Sequence, residues 1–308
     1  EYLSLEEDKF QKIVCAYLAE YAVKYFGEEQ LESNSFTYRL KTILDNVMYL
    51  MKHIMEELSQ SEFFVADCEL KIGEDIPSYT IVLPDGHKIA VCGSVDRVDI
   101  MQRADITYLR IIDYKTGTKQ FKLSDILYGI NLQMLLYLHS IEASGGDKYG
   151  EIVPAGILYM PATVPYISSD SLKSIDKLPD ELNKKLKMNG LLLKDTEIIH
   201  GMDKTDVATY IPVKIKAGEP VSSTSLATLA EFGKIFKKVD MLIAEMGKNI
   251  YNGNIEAKPL KGGHDSCEYC PYDSVCAYRQ SNPITCFSVD NKTVIEEITN
   301  EINGKEEE

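Results

Sequence analysis

The stretch YLRIIDYKTG, residues 108–117, places Asp113 and Lys115 two positions apart inside an otherwise apolar run. In an extended strand, side chains two apart point to the same face. Taken alone, the two read equally well as a structural ion pair at a strand end. The preceding segment, GSVDRVDI, brings Asp96 and Asp99 toward the same region across the polar turn MQRAD. Register decides which aspartate meets Asp113. A turn centred between Arg103 and Ala104, or one residue later, sets Asp96 opposite or diagonal to Asp113. A turn centred on a residue brings Asp99 there instead. The polar loop from Gln102 to Asp105 favours Asp96.

Two carboxylates on one face repel each other and are costly to bury unpaired. A divalent cation resolves the repulsion, and ligation by carboxylates, a backbone carbonyl and water suits Mg²⁺ or Mn²⁺. Lys115 beside it could orient an attacking water or offset charge on a pentavalent phosphorane. Such a constellation hydrolyses phosphodiesters. A second set of candidate ligands lies in HDSCEYCPYDSVCAYR, where Cys267, Cys270 and Cys276 form a C-x2-C-x5-C. Thiolates so spaced bind Zn²⁺ or an iron–sulfur cluster. His264 or Cys286 could close a zinc site. Cys15 falls on an apolar helix face, and Cys68 and Cys92 fall within strands, where they read as small buried hydrophobes.

These groups must be positioned by regular elements. Two amphipathic helices open the chain, one on Phe10, Ile13, Val14, Tyr17, Leu18, Tyr21 and Tyr25, the next on Leu40 to Leu58 at three- and four-residue steps. FFVADCELKI then reads as a strand, and SYTIVLPDGHKIAVCGSVDRVDI as a hairpin turning on Pro84-Asp85-Gly86. LSDILYGINLQMLLYLHSIEA reads as one helix capped by Ser124 or Asp125, and VPAGILYM as a strand. A strand, a helix and a strand in that order form a right-handed crossover with parallel strands. The centre is therefore a mixed sheet, an antiparallel meander extended by one parallel strand. Residues 165–223 read as irregular apart from strand-like TYIPVKI, and a long helix follows from Ser225. The acidic end, EEITNEINGKEEE, reads as a frayed, solvated tail.

The 308 residues suffice for one large domain or two small ones, and 44% apolar with 26% charged residues is a globular balance. No run approaches the ~20 apolar residues of a membrane span. Seven cysteines without a secretory signal point to a reducing, cytoplasmic setting. The chain opens without Met, as a piece of a longer chain would. A net charge of −15 argues against a free-standing nucleic-acid binder. No Walker A pattern is present.

VDRVDI, IIDYKTG and then Gln133 and Tyr137 in GINLQMLLYLHS together resemble the RecB-type branch of the PD-(D/E)xK nuclease superfamily. Adding VPAGILYM, KMNGLLLKD and CEYCPYDSVC in that order, residues 63–280 are similar to the C-terminal nuclease domains of the AddB family. The resemblance implies a restriction-endonuclease-like α/β fold, a mixed sheet flanked by helices with a C-terminal cysteine-rich loop. Its parts would be an N-terminal helical segment 1–60, a nuclease core 61–165, an extension 166–290 and an acidic tail 291–308. It implies a metal on Asp96, Asp113 and the Tyr114 carbonyl, with Lys115 catalytic and Gln133 and Tyr137 steadying the lysine or a DNA phosphate. A His or Glu that the family places on an earlier helix has no clear counterpart; Glu6, Glu7 and Glu20 lack a motif. Cys267, Cys270 and Cys276 would hold a [4Fe–4S] cluster whose fourth ligand lies outside this chain. The implied activity is a Mg²⁺-dependent DNA exonuclease module that processes double-strand ends for recombinational repair. It would work beside an AddA-type subunit in a heterodimer, which feeds it a single strand. The remaining readings are a non-catalytic DNA-holding scaffold of the same fold and a zinc-ribbon interaction protein. With DNA delivered by the complex, only local cations would be needed, namely Arg97, Arg110, Lys115, Lys119 and Lys122.

Overall fold

The computed structural model describes residues 7–31, 33–117, 120–164, 178–221, 224–272, 274–276, 278 and 283–306. Three helices lead in, α1 (Glu7–Phe26), α2 (Glu28–Leu31) and α3 (Asn34–Ser59), followed by strand β1 (Phe64–Ile72), hairpin β2 (Tyr79–Val82) and β3 (Lys88–Val91), then β4 (Gly93–Arg103) and β5 (Ile106–Lys115). Helices α4 (Gln133–Ser144) and α5 (Gly146–Tyr149) cross over to β6 (Glu151–Pro161). Beyond it come α6 (Leu178–Leu186), β7 (Asn189–Leu193), α7 (Thr196–Met202), β8 (Lys214–Lys216), β9 (Glu219–Val221) and β10 (Leu226–Ala227). Helix α8 (Leu229–Tyr251), β11 (Leu260–Gly262), β12 (Ile284–Cys286) and α9 (Asn291–Glu306) complete the chain.

The main sheet has six strands in the order β1-β4-β5-β6-β7-β10. β1, β4 and β5 run as an antiparallel meander, and β6 joins β5 in parallel through α4, as the crossover rule requires. The mixed α/β sheet expected from the sequence is therefore present. Its interior strands are apolar on both faces, with Leu109, Ile111, Ile112, Ala155, Ile157 and Leu158 all buried.

Four expectations need correction. The sheet does not end near residue 165: β7 and β10 extend it, and of TYIPVKI only Lys214 onward is strand. The helix expected from Leu123 is broken. Leu123–Tyr128 form a 3₁₀ turn ended by Gly129 in the left-handed region (φ 69°), and Asn131 (φ 55°) is held there by its side chain on Asp125, at 2.6 Å. Helix α4 thus begins at Gln133. The supposed tail is helix α9, because Val294, Ile298 and Ile302 recur every four residues and are buried. Its Glu301 meets Lys238 of α8 at 2.5 Å. Finally, Cys68 and Cys92 are exposed, as are Tyr17, Tyr21 and Tyr25 of α1, whose buried residues are Phe10 and Ala22.

Candidate active site

The β4–β5 hairpin closes on Ala104 and Asp105, with Ala104 at positive φ, so the ladder runs from Arg103↔Ile106 to Arg97↔Ile112. One further step sets Asp96 directly opposite Asp113. This is the second of the two registers that favour Asp96. Pairing stops there although β4 reaches back to Gly93 and β5 runs on to Lys115, so the strands part at the two aspartates. In the gap, Asp96 Oδ2 accepts the backbone N–H of Tyr114 at 2.9 Å. On the far side of β5, the Lys115 carbonyl accepts the Ala162 N–H at 2.8 Å. Successive strand residues direct their backbone groups to opposite sides, so the Tyr114 carbonyl faces β4, toward Asp96.

Asp113 is 7% exposed, and its Oδ2 is met by one cation. The Lys115 ammonium lies 2.5 Å from that oxygen and forms an ion pair with it. The same ammonium sits 5.5 Å above the ring of Tyr159, which pairs with Asp113 across β6. Burial, reinforced by the charges of Asp113 and Asp125, pushes the Tyr159 phenol up to about 12, which keeps it neutral. Tyr159 carries no motif, and only its place opposite Asp113 in the parallel pair could have singled it out.

Gln133, the first residue of α4, is exposed, and Tyr137 is half-buried one turn later. The Tyr137 hydroxyl occupies the space that a Cβ at position 93 would fill, so Gly93 lets the tyrosine approach β4 three residues before Asp96. Glu20 is exposed on α1, while Glu6 and the Glu7 side chain lie outside the described residues. Glu69 falls opposite Asp96 in the β1–β4 register and accepts the Ser94 hydroxyl at 3.0 Å. Even so, among the described residues no three His, Cys, Asp or Glu side chains are gathered to hold a metal. The donor set offered is two carboxylates and a carbonyl. It suits a hard divalent cation, and two carboxylates offset by one ammonium are the feature such an ion would satisfy.

Arg97 and Arg110 are not available to DNA. They are 2% and 0% exposed on the other face of the hairpin. Arg97 donates to Asp99 (2.7 and 2.6 Å) and to Glu57 of α3 (3.0 Å), and Arg110 donates to the same two acids (2.6–3.0 Å). Burial opposes the charge on Arg97, but Asp99 and Glu57 outweigh it and hold the guanidinium firmly protonated. Burial likewise opposes the Asp99 carboxylate, and the two arginines hold its pKa down. Positions 97, 99 and 110 share one strand parity, and that signal separates them from Asp96 and Asp113. Lys122 is exposed, and Lys119 lies outside the described residues.

The cysteine loop follows β11, which pairs in parallel with β12 and docks on the 3₁₀ turn through the Phe287 N–H and the Tyr128 hydroxyl, at 2.9 Å. Cys267, Cys270 and Cys276 are held by turn bonds, Cys267 N–H to Asp265 at 2.9 Å and Cys276 N–H to the Tyr272 carbonyl at 2.8 Å. They are not drawn together as ligands, and neither His264 nor Cys286 completes a set with them among the described residues. Among the described residues this loop shows no assembled cluster or zinc ligand set.

A six-stranded mixed sheet that parts at an acidic pair, with a lysine on the same face and a helix crossing over it, defines a nuclease-type α/β domain. Residues 3–277 match the PD-(D/E)XK nuclease superfamily, and the chain belongs to that family. It is 38% identical over 246 residues to the B subunit of the ATP-dependent helicase/deoxyribonuclease of Thermoanaerobacter sp. (strain X514), covering 78% of this chain and 21% of that protein. It is 36% identical over 281 residues to the protein of the same name from Clostridium kluyveri (strain NBRC 12016), covering 88% and 24%. With that of Alkaliphilus metalliredigens (strain QYMF) it is 33% identical over 292 residues, covering 91% and 25%. The chain thus spans a fifth to a quarter of the length of these curated relatives.

Proposed function

We propose that this domain hydrolyses DNA phosphodiester bonds, with a divalent metal, Mg²⁺ or Mn²⁺, held by Asp96, Asp113 and the Tyr114 carbonyl. One observation carries the reading: Asp113 is buried opposite a second carboxylate where the strands part, with the single ammonium of Lys115 to offset the two acids. A metal bound there would polarise a phosphoryl oxygen and lower the pKa of an attacking water. Lys115 would set its ammonium against the charge that grows on the non-bridging oxygens. Gln133, exposed at the start of α4, and Tyr137, one turn on, would position the phosphate or the lysine.

The relatives are named as one subunit of a helicase/deoxyribonuclease, which supports DNA as substrate and a helicase–nuclease assembly as setting. In our reading the domain is the exonuclease module of an AddB-type subunit that processes double-strand ends in the cytoplasm. An AddA-type partner would feed it single-stranded DNA, which reconciles a net charge of −15 with a DNA substrate. No helix among the described residues is long and apolar enough to cross a membrane. Cys267, Cys270 and Cys276 would supply three thiolates to a [4Fe–4S] cluster, assembled only when a fourth ligand joins them. The test is degradation of labelled single-stranded DNA by the assembled complex, with Mg²⁺ and with EDTA. Activity that needs Mg²⁺ and disappears in Asp113→Ala is expected. Unchanged activity in that variant sinks the assignment, and a folded parent that never cuts would favour the scaffold.

A further inference from the structure

A basic groove lies along the same end of the sheet. Helix α6 ends with Lys184 and Lys185, and the chain enters β7 through Lys187 and Met188. Lys184, Lys187 and Lys214, with Met188, Pro212 and Val221, line an open groove of about 520 Å³. The sheet register locates it. Asp113 pairs with Tyr159 on β6, and Tyr159 pairs with Asn189 on β7. Two strand spacings, roughly 10 Å in all, therefore separate Asp113 from Asn189. Lys187 stands two residues before Asn189, beyond the sheet edge on which Lys115 ends β5.

Of the three charges lining this groove, one is fixed by hydrogen bonds and two have no ion-pair partner among the described residues. Lys187 donates to the carbonyls of Ala208 (2.6 Å) and Val213 (3.0 Å), which fixes its ammonium. Burial presses its pKa down, the Asp203 carboxylate opposes this, and the neighbouring Lys214 charge adds a smaller downward push. The Asp203 carboxylate is itself engaged by the N–H groups of Thr205 and Tyr210 and by the Thr205 hydroxyl. Lys184 and Lys214 are exposed and make no ion pair among the described residues. A polyanion passing between these two lysines would supply a partner to both. In a chain of net charge −15, such a group runs against the bulk composition.

We propose that this groove holds the sugar–phosphate backbone of a single DNA strand beside the nuclease centre. The proposal deepens the nuclease reading and rests on it. Lys184, Lys187 and Lys214 would contact phosphates, and the apolar wall of Pro212 and Val221 would receive sugars and base faces without reading sequence.

The experiment measures binding of a fluorescein-labelled 20-nucleotide oligothymidylate to the chain by anisotropy, in EDTA so that nothing is cut, across a NaCl series. In Lys184→Ala/Lys214→Ala, Kd should rise roughly tenfold near physiological salt. The slope of log K against log salt should become shallower by about 1.4, two phosphate contacts at about 0.7 each. Lys88→Ala/Lys292→Ala, two exposed lysines on β3 and α9, removes equal charge elsewhere and should leave both quantities at the parental value. Circular dichroism confirms that both variants fold. An equal loss in the control pair, no loss in the groove pair, or no measurable binding by the parent would each overturn the proposal. Because cleavage is measured separately, the two readings fail separately. A parent that binds through the groove but never cuts defeats the nuclease reading alone. A parent that cuts while the groove variant binds normally defeats the groove alone.

Discussion

The two faces of the β4–β5 hairpin are built from the same strands and both carry charge, yet they do opposite things. On one face Arg97, Asp99 and Arg110 meet Glu57 of α3, two cations against two anions, each nearly or wholly buried and bound by several charge-assisted hydrogen bonds. On the other, Asp96 and Asp113 face each other with one flexible lysine between bulk water and a buried oxygen. The sealed face balances two cations against two anions, with one Nη1 of each arginine left without a hydrogen-bond partner. The open face carries more acid than its single cation satisfies. Burial of charge alone therefore does not mark a site. The proposed metal site is distinguished by an excess of acid over cation where the strands part.

The comparison can be broken most sharply at its acids. Asp113→Ala removes one of two carboxylates that repel each other and leaves no buried charge behind, so the fold should survive. Mg²⁺-dependent cleavage should then fall by at least about 10³-fold, several kcal/mol of transition-state stabilisation. Asp99→Ala does the reverse, leaving Arg97 and Arg110 buried against Glu57 alone. Breaking such a buried group should cost about 3–5 kcal/mol of folding stability. Urea titration of the two variants decides it. An Asp113→Ala protein that unfolds as readily as Asp99→Ala would mean that both faces are structural.

Lys115→Ala sharpens the same contrast with a smaller effect. The ammonium is ion-paired with Asp113 and a quarter exposed, so its loss should leave stability within about 1 kcal/mol of the parent. The rate of single-strand degradation should fall on the order of 10²–10³-fold, the scale of one fixed electrostatic donor. Single-turnover cleavage, with DNA affinity followed in parallel, separates the two roles. A variant that fails only because it no longer binds DNA would make Lys115 an anchoring residue.

Much of this hairpin was legible in the sequence. The alternation of VDRVDI and the polar MQRAD turn limited the register to a few choices, and the observed one is among those that pair Asp96 with Asp113. The fate of the arginines was not, because their partner Glu57 lies 40 residues away on α3 and no local pattern joins them. Only strand parity hinted that Arg97 and Arg110 point away from the aspartates. Helix α9 was hidden by composition: its acidic run masks Val294, Ile298 and Ile302, whose spacing is plain once charge is set aside. The break before Gln133 depends on Asn131 at positive φ and its bond to Asp125, a choice that helix periodicity does not express.

A third charged group tests the contrast with the smallest effect. His139, on the helix that carries Gln133 and Tyr137, stacks on Phe236 and lies 3.2 Å from Asp240 of α8 and 3.4 Å from Glu142. The Tyr79 hydroxyl of β2 donates to the same Asp240 carboxylate at 3.0 Å, which fastens the β2–β3 hairpin to α4 and α8. Burial disfavours the charged imidazole, but the bonds and charges of Asp240 and Glu142 prevail and raise its pKa to about 9. A folded pKa above the ordinary value of about 6.5 gives stabilisation that is complete below pH ~6.5 and disappears as pH rises through 9. Tyr79, pushed up to about 12 by burial and then by Asp240, stays protonated through that window and adds nothing to the slope. In Asp240→Asn the amide oxygen still accepts from Tyr79, so the change removes charge rather than contact. Asp240 is about a third exposed, so the expected loss near pH 6 is only about 1–2 kcal/mol after allowance for solvent screening. Urea midpoints of parent and variant should differ at pH 6 and converge by pH 10, where the imidazole is neutral in both. A gap that stays the same at both values would show that Asp240 acts by shape alone, and that among these clusters only the arginine face is held by charge.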